Sequence, residues 1–257
     1  MFKLIRITIL SAILLFVALD AWLSQVRSTD WNDSLWVSVY PIHADASAGT
    51  REHIASLTDE TFAAIETFFQ RETQRYGGSL ERPVRITLKP SIGEQPPTLA
   101  DQPNVFEIML WSLRMRWWTG SITKGLDDIR PDIRVFIRYH EPTGRLALEN
   151  SIGVQRGMYS IVNAYTGRTN VQRNNVVIAH EMLHTIGATD KYDPGSNQPV
   201  APDGLAEPAK SPLYPQRFAE IMGGRIATSP AEAVMPSSLG RVVIGEQTAT
   251  EIGLLAR

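Results

Sequence analysis

The pattern of apolar and polar positions predicts four β-strands in the first two thirds of the chain. They are residues 35–42, which alternate like a strand, and residues 84–88, 133–139 and 158–165. They are rich in the β-branched and aromatic residues that favour strands. A helix capped by Ser56 or Thr58 and ending near Gly77 is expected between the first two strands. The pattern therefore predicts a sheet with a backing helix.

Another helix is expected directly after the fourth strand. Residues 176–179 are apolar enough to bury one of its faces, and Thr169 or Asn170 can cap its start. Gly187 lies where a helix commonly ends in a left-handed residue. Two shorter helices are expected further on. One starts at Ser229, before a proline, and the other covers residues 249–255.

Residues 106–118 form a helix-length run that combines three tryptophans with two arginines. Such aromatic and basic content is typical of a helix that lies on a membrane surface. A core helix whose arginines extend towards solvent or pair with carboxylates accounts for the same pattern. We favour the core helix.

The N-terminal segment predicts a membrane anchor. Lys3 and Arg6 precede an apolar stretch, and residues 4–23 are about long enough to span a bilayer. Positive charge before this stretch places the N-terminus in the cytoplasm and the following residues outside. We favour an uncleaved signal anchor over residues 1–27, because Leu19 stands where a signal cleavage site has a small residue at its outer position. Secretion after signal cleavage and a buried helix are the alternatives.

Composition excludes some classes of protein and site. The 257 residues carry a formal net charge of −2, which gives no reason to expect a nucleic-acid partner. The absence of cysteine excludes a disulfide framework and cysteine-ligated zinc. Histidine and carboxylate groups remain as the ligands available to a metal.

His180, Glu181 and His184 have the spacing of a zinc site carried on a helix. Four residues advance about 400° along an α-helix, so both imidazoles leave the same face. Glu181 points roughly 100° away, where it can reach a zinc-bound water without being a ligand. The same string on a surface helix without metal is the alternative. The apolar residues before it and the glycine after it favour the zinc site.

A catalytic zinc ion needs a third protein ligand. The other three histidines all precede the motif: His43, His53 and His140. A third histidine at the usual downstream spacing is therefore excluded. A sharp turn at Gly187 would bring Asp190 back towards the metal, and Asp190 is the best candidate. Asp193 and Glu220 are its competitors.

The stretch H-E-M-L-H-T-I-G-A-T-D-K-Y, residues 180–192, resembles the metzincin clan of zinc endopeptidases, in the form of its snapalysin branch. The resemblance implies a zincin-like α+β fold. It has a mixed sheet with a backing helix and an active-site helix, followed by a smaller C-terminal lobe. It also implies a methionine turn beneath the metal, for which Met222 is the candidate and Met235 the alternative. By the same analogy the fourth strand is the sheet edge that binds substrate.

The working hypothesis is a membrane-anchored, extracytoplasmic zinc endopeptidase. Residues 1–27 form the transmembrane anchor and residues 28–257 the peptidase domain, with an upper lobe of about 28–187 and a lower lobe of about 188–257. Zn²⁺ is held by His180, His184 and Asp190. Glu181 acts as general base towards the zinc-bound water that attacks a protein or peptide substrate. Tyr192 is a candidate donor to the transition state.

Two alternatives remain open at this point. One is a zinc-binding protein without turnover, against which the presence of Glu181 argues. The other is a zinc hydrolase of a non-peptide substrate, which the motif alone does not exclude.

Overall fold

The computed structural model describes Arg6 and residues 30–99, 104–127, 129–142, 152–154 and 158–255. Apart from Arg6, the predicted anchor at residues 1–27 lies outside this part of the chain. Within the described residues, no helix is both long enough and apolar enough to cross a membrane.

A five-stranded sheet forms the centre of the fold. Its strands are β1 Leu35–His43, β2 Val84–Leu88, β3 Ile133–His140, β4 Ile152–Val154 and β5 Tyr159–Tyr165. They are arranged in the order β2-β1-β3-β5-β4. The first four strands in this order are parallel, and β4 pairs with β5 in the antiparallel direction. The predicted mixed sheet is confirmed. The predicted edge position of β5 is wrong, because β4 pairs along its outer side.

The described residues form five α-helices. They are α1 Ala48–Ala55, α2 Ala63–Arg75, α3 Val105–Ile122, α4 Val171–Thr185 and α5 Glu246–Glu251. A short 3₁₀ helix that starts after Thr58 leads into α2. Asn104 caps α3, because its side chain accepts hydrogen bonds from the backbone of Phe106 and Glu107. The sequence patterns did not predict α1.

Apolar side chains on both faces of the sheet build the core. Val39 and Val135 face one side, whereas the next residues, Tyr40 and Phe136, face the other. Helices α2 and α4 pack on the first face. Helix α3 covers the second face with Trp111, Met115 and Trp118. The prediction of a core helix is therefore confirmed for one face of α3.

The C-terminal residues form short elements that pack against the first face of the sheet. Strand β6 Ala219–Glu220 pairs with β9 Val242–Val243, and β7 Ile226–Ala227 pairs with β8 Ala233–Val234. The helix predicted to start at Ser229 is wrong. The backbone N–H groups of Thr228 and Ser229 donate to the carbonyl of Glu232, which closes the β7–β8 hairpin.

Glu72 connects the backing helix α2 to this C-terminal part. Its buried carboxylate accepts a hydrogen bond from the backbone of Ile244 at 2.9 Å. It also pairs with Arg71 at 2.8 Å and with Arg75 at 3.1 Å. Arg71 in turn donates to the carbonyl of Val242. These charge-assisted hydrogen bonds fix β9 and the residue after it against α2.

Candidate metal centre

Helix α4 packs against β5 and carries His180, Glu181 and His184. Asn170 is the residue at its N-terminal cap, but its side-chain amide donates to the carbonyl of Thr166 and makes no capping hydrogen bond. Burial of the apolar side of α4 orients the helix. That side includes Val176, Ile178, Ala179, Met182 and Leu183.

Three ligand atoms meet beside this helix. The Nε2 atoms of His180 and His184 are 3.1 Å apart, and Oδ1 of Asp190 is 3.2 Å from each of them. Ligands at about 2.0–2.1 Å from a tetrahedral zinc ion lie about 3.3–3.4 Å from one another. This ligand triangle therefore matches one face of a zinc tetrahedron closely, and its nitrogen and oxygen donors suit zinc.

Two backbone carbonyls orient the imidazoles. Nδ1 of His180 lies 2.9 Å from the carbonyl oxygen of Ile221, and Nδ1 of His184 lies 2.9 Å from that of Ala188. A carbonyl oxygen only accepts, so each Nδ1 carries the hydrogen. In the neutral imidazoles both Nε2 lone pairs are then available to a metal, and this is the tautomer that binds one through Nε2.

The chain reverses directly after α4. Gly187 has a φ of 109°, a region that favours glycine, and the N–H of Ala188 closes the helix on the carbonyl of Leu183 at 3.0 Å. The reversal places the carbonyl of Ala188 on His184. It also brings Asp190 to the two Nε2 atoms.

The competing carboxylates are engaged elsewhere. Asp193 accepts hydrogen bonds from the backbone N–H and the hydroxyl of Ser196, at 2.8 and 2.7 Å. The buried carboxylate of Glu220 accepts three hydrogen bonds, from Gly223, Gly245 and Thr248. Of these three candidates, the structure brings only Asp190 to the imidazoles.

Met222 lies in a tight turn that follows β6. The preceding residue, Ile221, supplies the carbonyl that orients His180, and the carbonyl of Met222 accepts a hydrogen bond from the backbone of Lys191 at 2.9 Å. Met222 is fully buried, whereas Met235 is 38% exposed. Met222 is therefore buried next to the residue that orients His180, and the methionine turn stays a prediction.

A cleft of about 540 Å³ opens beside the ligand triangle, and His180, Glu181 and Asp190 line it. A ligand oxygen of Glu181 lies within 4.8 Å of the imidazole nitrogens. Asp190 is nearer to both imidazoles, so it completes the triangle and leaves Glu181 beside it. Glu181 therefore lies beside the triangle and at the cleft, and its role as a general base stays a prediction.

Tyr192 also lines the cleft, with its ring centroid 6.3 Å from that of His180. Burial raises the pKa of Tyr192, and the negative charges of Asp190 and Glu181 raise it further. The phenol therefore stays protonated near neutral pH and is able to donate a hydrogen bond.

Asp190 and His184 each stabilise the charged form of the other. Burial raises the pKa of Asp190, but hydrogen bonds with His180 and His184 outweigh burial, and the pKa falls below its ordinary value. Burial lowers the pKa of His184, but its hydrogen bonds with Asp190 and Ala188, together with nearby negative charge, raise it above the ordinary value. Protons therefore compete with a metal for His184.

Glu251 on α5 holds the loop that carries Asp190. Its carboxylate accepts hydrogen bonds from the backbone N–H and the hydroxyl of Thr189, at 3.0 and 2.8 Å, and from Nζ of Lys191 at 2.8 Å. Both neighbours of Asp190 are thus fixed to one carboxylate. Sequence reasoning missed Glu251, because no motif or spacing connects it with the zinc helix.

The comparisons with known proteins give no family. No protein-family model matches the chain, and no curated protein matches it. Among solved structures, the chain is similar to one described as "Structure of a chaperone-substrate complex", with a TM-score of 0.42 and 13% identity. The match covers 86% of this chain and 34% of the other, so this chain spans about a third of that chain's length.

Loss of the Glu251 carboxylate is expected to weaken zinc binding. In Glu251→Gln the charge partner of Lys191 disappears, and the loop no longer holds Asp190 in place. We expect zinc affinity to fall by about 10–100-fold, as is usual when a group that supports a ligand is removed. Competition with a chelator measures the affinity. Glu246→Gln, an exposed change on the same helix, is the control. Equal affinities of both variants would contradict the role of Glu251.

Asp190→Asn is expected to reduce zinc affinity more than Glu251→Gln, because it removes a charged ligand rather than its support. The same chelator competition measures the effect. Asp193→Asn is the matched control, since it alters a nearby carboxylate that does not reach the imidazoles. A larger loss of zinc in the Asp193 variant would sink the assignment of the third ligand.

The apparent zinc affinity is expected to fall as the pH drops through the raised pKa of His184, because the protonated imidazole cannot bind metal. In the metal-free protein, Asp190→Asn removes the negative charge that helps to raise this pKa and weakens the hydrogen bond, because a neutral amide oxygen is a poorer acceptor than a carboxylate. An NMR titration of the His184 ring should therefore give a lower pKa in the variant than in the unmodified protein. An unchanged pKa would show that Asp190 does not interact with His184.

Proposed function

We propose that this chain is a zinc-dependent endopeptidase of metzincin type. The observation that carries the proposal is the ligand triangle of His180, His184 and Asp190 beside an open cleft, with Glu181 next to it. A structural zinc site is normally closed by four protein ligands, whereas a catalytic site has three and keeps a position open. A set of three ligands, two of which (His180 and Asp190) line a cleft, supports the catalytic kind.

When bound there, zinc supplies Lewis acidity, which lowers the pKa of a water to about 7 and polarises a carbonyl oxygen. The carboxylate of Glu181 takes the proton from the attacking water and passes it to the nitrogen of the departing amine. Tyr192 donates a hydrogen bond to the carbonyl oxygen as negative charge develops on it. Asp190 balances part of the positive charge of the metal, and His180 and His184 stay neutral.

The sheet next to the cleft supports a peptide substrate. Strand β4 pairs with β5 on one side and forms the edge of the sheet among the described strands. Asn163 of β5 lines the cleft. An extended peptide can pair with such an edge through main-chain hydrogen bonds. A small non-peptide substrate could not form these main-chain hydrogen bonds with the sheet edge.

The proposed location is the outer side of a membrane, with residues 1–27 as the anchor. This part of the proposal rests on the apolar stretch of residues 4–23 and on the positive charges before it. A protein or peptide substrate would then meet the peptidase domain outside the cytoplasm. Secretion after cleavage of the segment would leave the same domain in the same compartment.

Glu181→Gln is expected to abolish peptide cleavage but to leave zinc bound. The amide cannot take a proton from water, and loss of a general base costs about 10²–10⁴-fold in rate. We would digest a peptide library with the zinc-loaded protein, identify the products by mass spectrometry and measure metal content in parallel. Glu52→Gln, an exposed change on α1, is the matched control.

The outcomes of this experiment separate the alternatives. Cleavage that persists in Glu181→Gln contradicts the mechanism. Stoichiometric zinc without cleavage of any peptide by the unmodified protein favours a zinc-binding protein without turnover. Hydrolysis of small esters but not of peptides, lost in Glu181→Gln, favours a hydrolase of another substrate.

A further inference from the structure

Helix α3 carries apolar side chains on two opposite faces. One face is part of the core. The other is exposed, with Phe106 78%, Leu113 58% and Trp117 75% accessible. At 100° per residue, the exposed apolar residues lie within an arc of about 100°. They are Phe106, Met109, Leu110, Leu113 and Trp117. We call this set the outer face of α3.

The first two turns of α3 project from the domain. Residues 104–110 are all exposed, including Val105 and Ile108 on other sides of the helix. Water contact with so many large apolar side chains is unfavourable, and a contiguous apolar patch of this kind marks an interaction surface. The outer face therefore needs a partner.

Basic side chains border the outer face on both sides. On the helical wheel Arg116 lies about 20° before Met109, and Arg114 lies about 40° after Leu110. Both arginines are exposed. Glu107, the one acidic residue of α3, accepts a hydrogen bond from the backbone of Asn104 as part of the helix cap. The surface is thus locally positive, although the whole chain carries a net charge of −2.

We propose that the outer face of α3 docks on a bilayer that contains anionic lipids. Aromatic and aliphatic side chains enter the interface, while arginines at the two borders meet lipid phosphates. Charge complementarity on both sides of one apolar stripe favours this partner over an apolar groove of another protein. The inference does not depend on the zinc site.

The connection of the chain agrees with this partner. The described part of the domain begins near β1, where two hydrogen bonds join Trp36 to Asp132. The backbone N–H of Trp36 donates to the Asp132 carboxylate, and the backbone N–H of Asp132 donates to the carbonyl of Trp36. Asp132 follows the end of α3, Ile122, by ten residues. In the chain the predicted anchor at residues 1–27 precedes β1, an inner strand that pairs with β3, and β3 is the strand that follows α3. The predicted anchor would keep the domain close to a bilayer.

A spin label can test the docking in the full chain, because the chain has no cysteine of its own. Leu113→Cys carries a nitroxide on the outer face, and Gln74→Cys carries one at an exposed position of α2, across the sheet. Each protein is reconstituted with vesicles of phosphatidylcholine alone or mixed with phosphatidylglycerol. Accessibility to oxygen and to a water-soluble nickel complex then reports lipid or water contact.

With phosphatidylglycerol we expect lipid contact at residue 113 and water contact at residue 74. Arg114→Gln and Arg116→Gln should each lower the ratio of docked to undocked label about fivefold. A label at Met109→Cys repeats the test in case the label at residue 113 itself weakens docking.

Water contact at both outer-face labels in both kinds of vesicle would overturn the proposal. Failure of the protein to associate with either kind of vesicle would also overturn it. Immobilisation of the outer-face labels that depends on the ratio of protein to lipid, without contact with oxygen in the bilayer, would point to a second copy and would also overturn it. Zinc content, measured on the same labelled variants, should equal that of the unmodified protein.

Discussion

The carbonyl oxygens of Ile221 and Ala188 hold the imidazoles of His180 and His184 in one tautomer, and the rest of the candidate site depends on this constraint. A helix alone places two imidazoles on one face, but it does not decide which nitrogen carries the hydrogen. The two carbonyls come from separate turns, one after β6 and one after α4. The ligand triangle is therefore built jointly by the helix and by the chain that follows it.

A buried carboxylate outside the triangle keeps the turn after β6 in place. Glu220 accepts the backbone N–H of Gly223 at 2.7 Å and so closes the turn that contains Ile221. A Cβ at Gly223 would collide with the carbonyl oxygen of Gly204, so the loop after Asp190 packs backbone to backbone against this turn. Residues that follow α4 thus orient His180 and His184, which lie on that helix. Proximity to the site does not by itself make a carboxylate a metal ligand.

Local features were predictable from the sequence, whereas contacts between distant residues were not. The alternation in residues 84–88 predicted β2 with its observed bounds, and the spacing of His180 and His184 predicted a shared helix face. Both signals lie within one element. Glu251 shows its role only through contacts with Thr189 and Lys191, far earlier in the chain. Apolar residues on two opposite faces left α3 without a periodic signal that could separate a core helix from a surface helix.

Helices α3 and α4 lie on opposite faces of the sheet, and this arrangement connects the two proposals. If the outer face of α3 docks on a bilayer, the sheet lies between the lipid and α4. The cleft beside His180 then faces the aqueous side, away from the membrane surface. Docking would also add a second attachment to that of the anchor and so restrict rotation of the domain. If both proposals hold, the arrangement favours cleavage of polypeptide segments that extend into water over cleavage within the lipid.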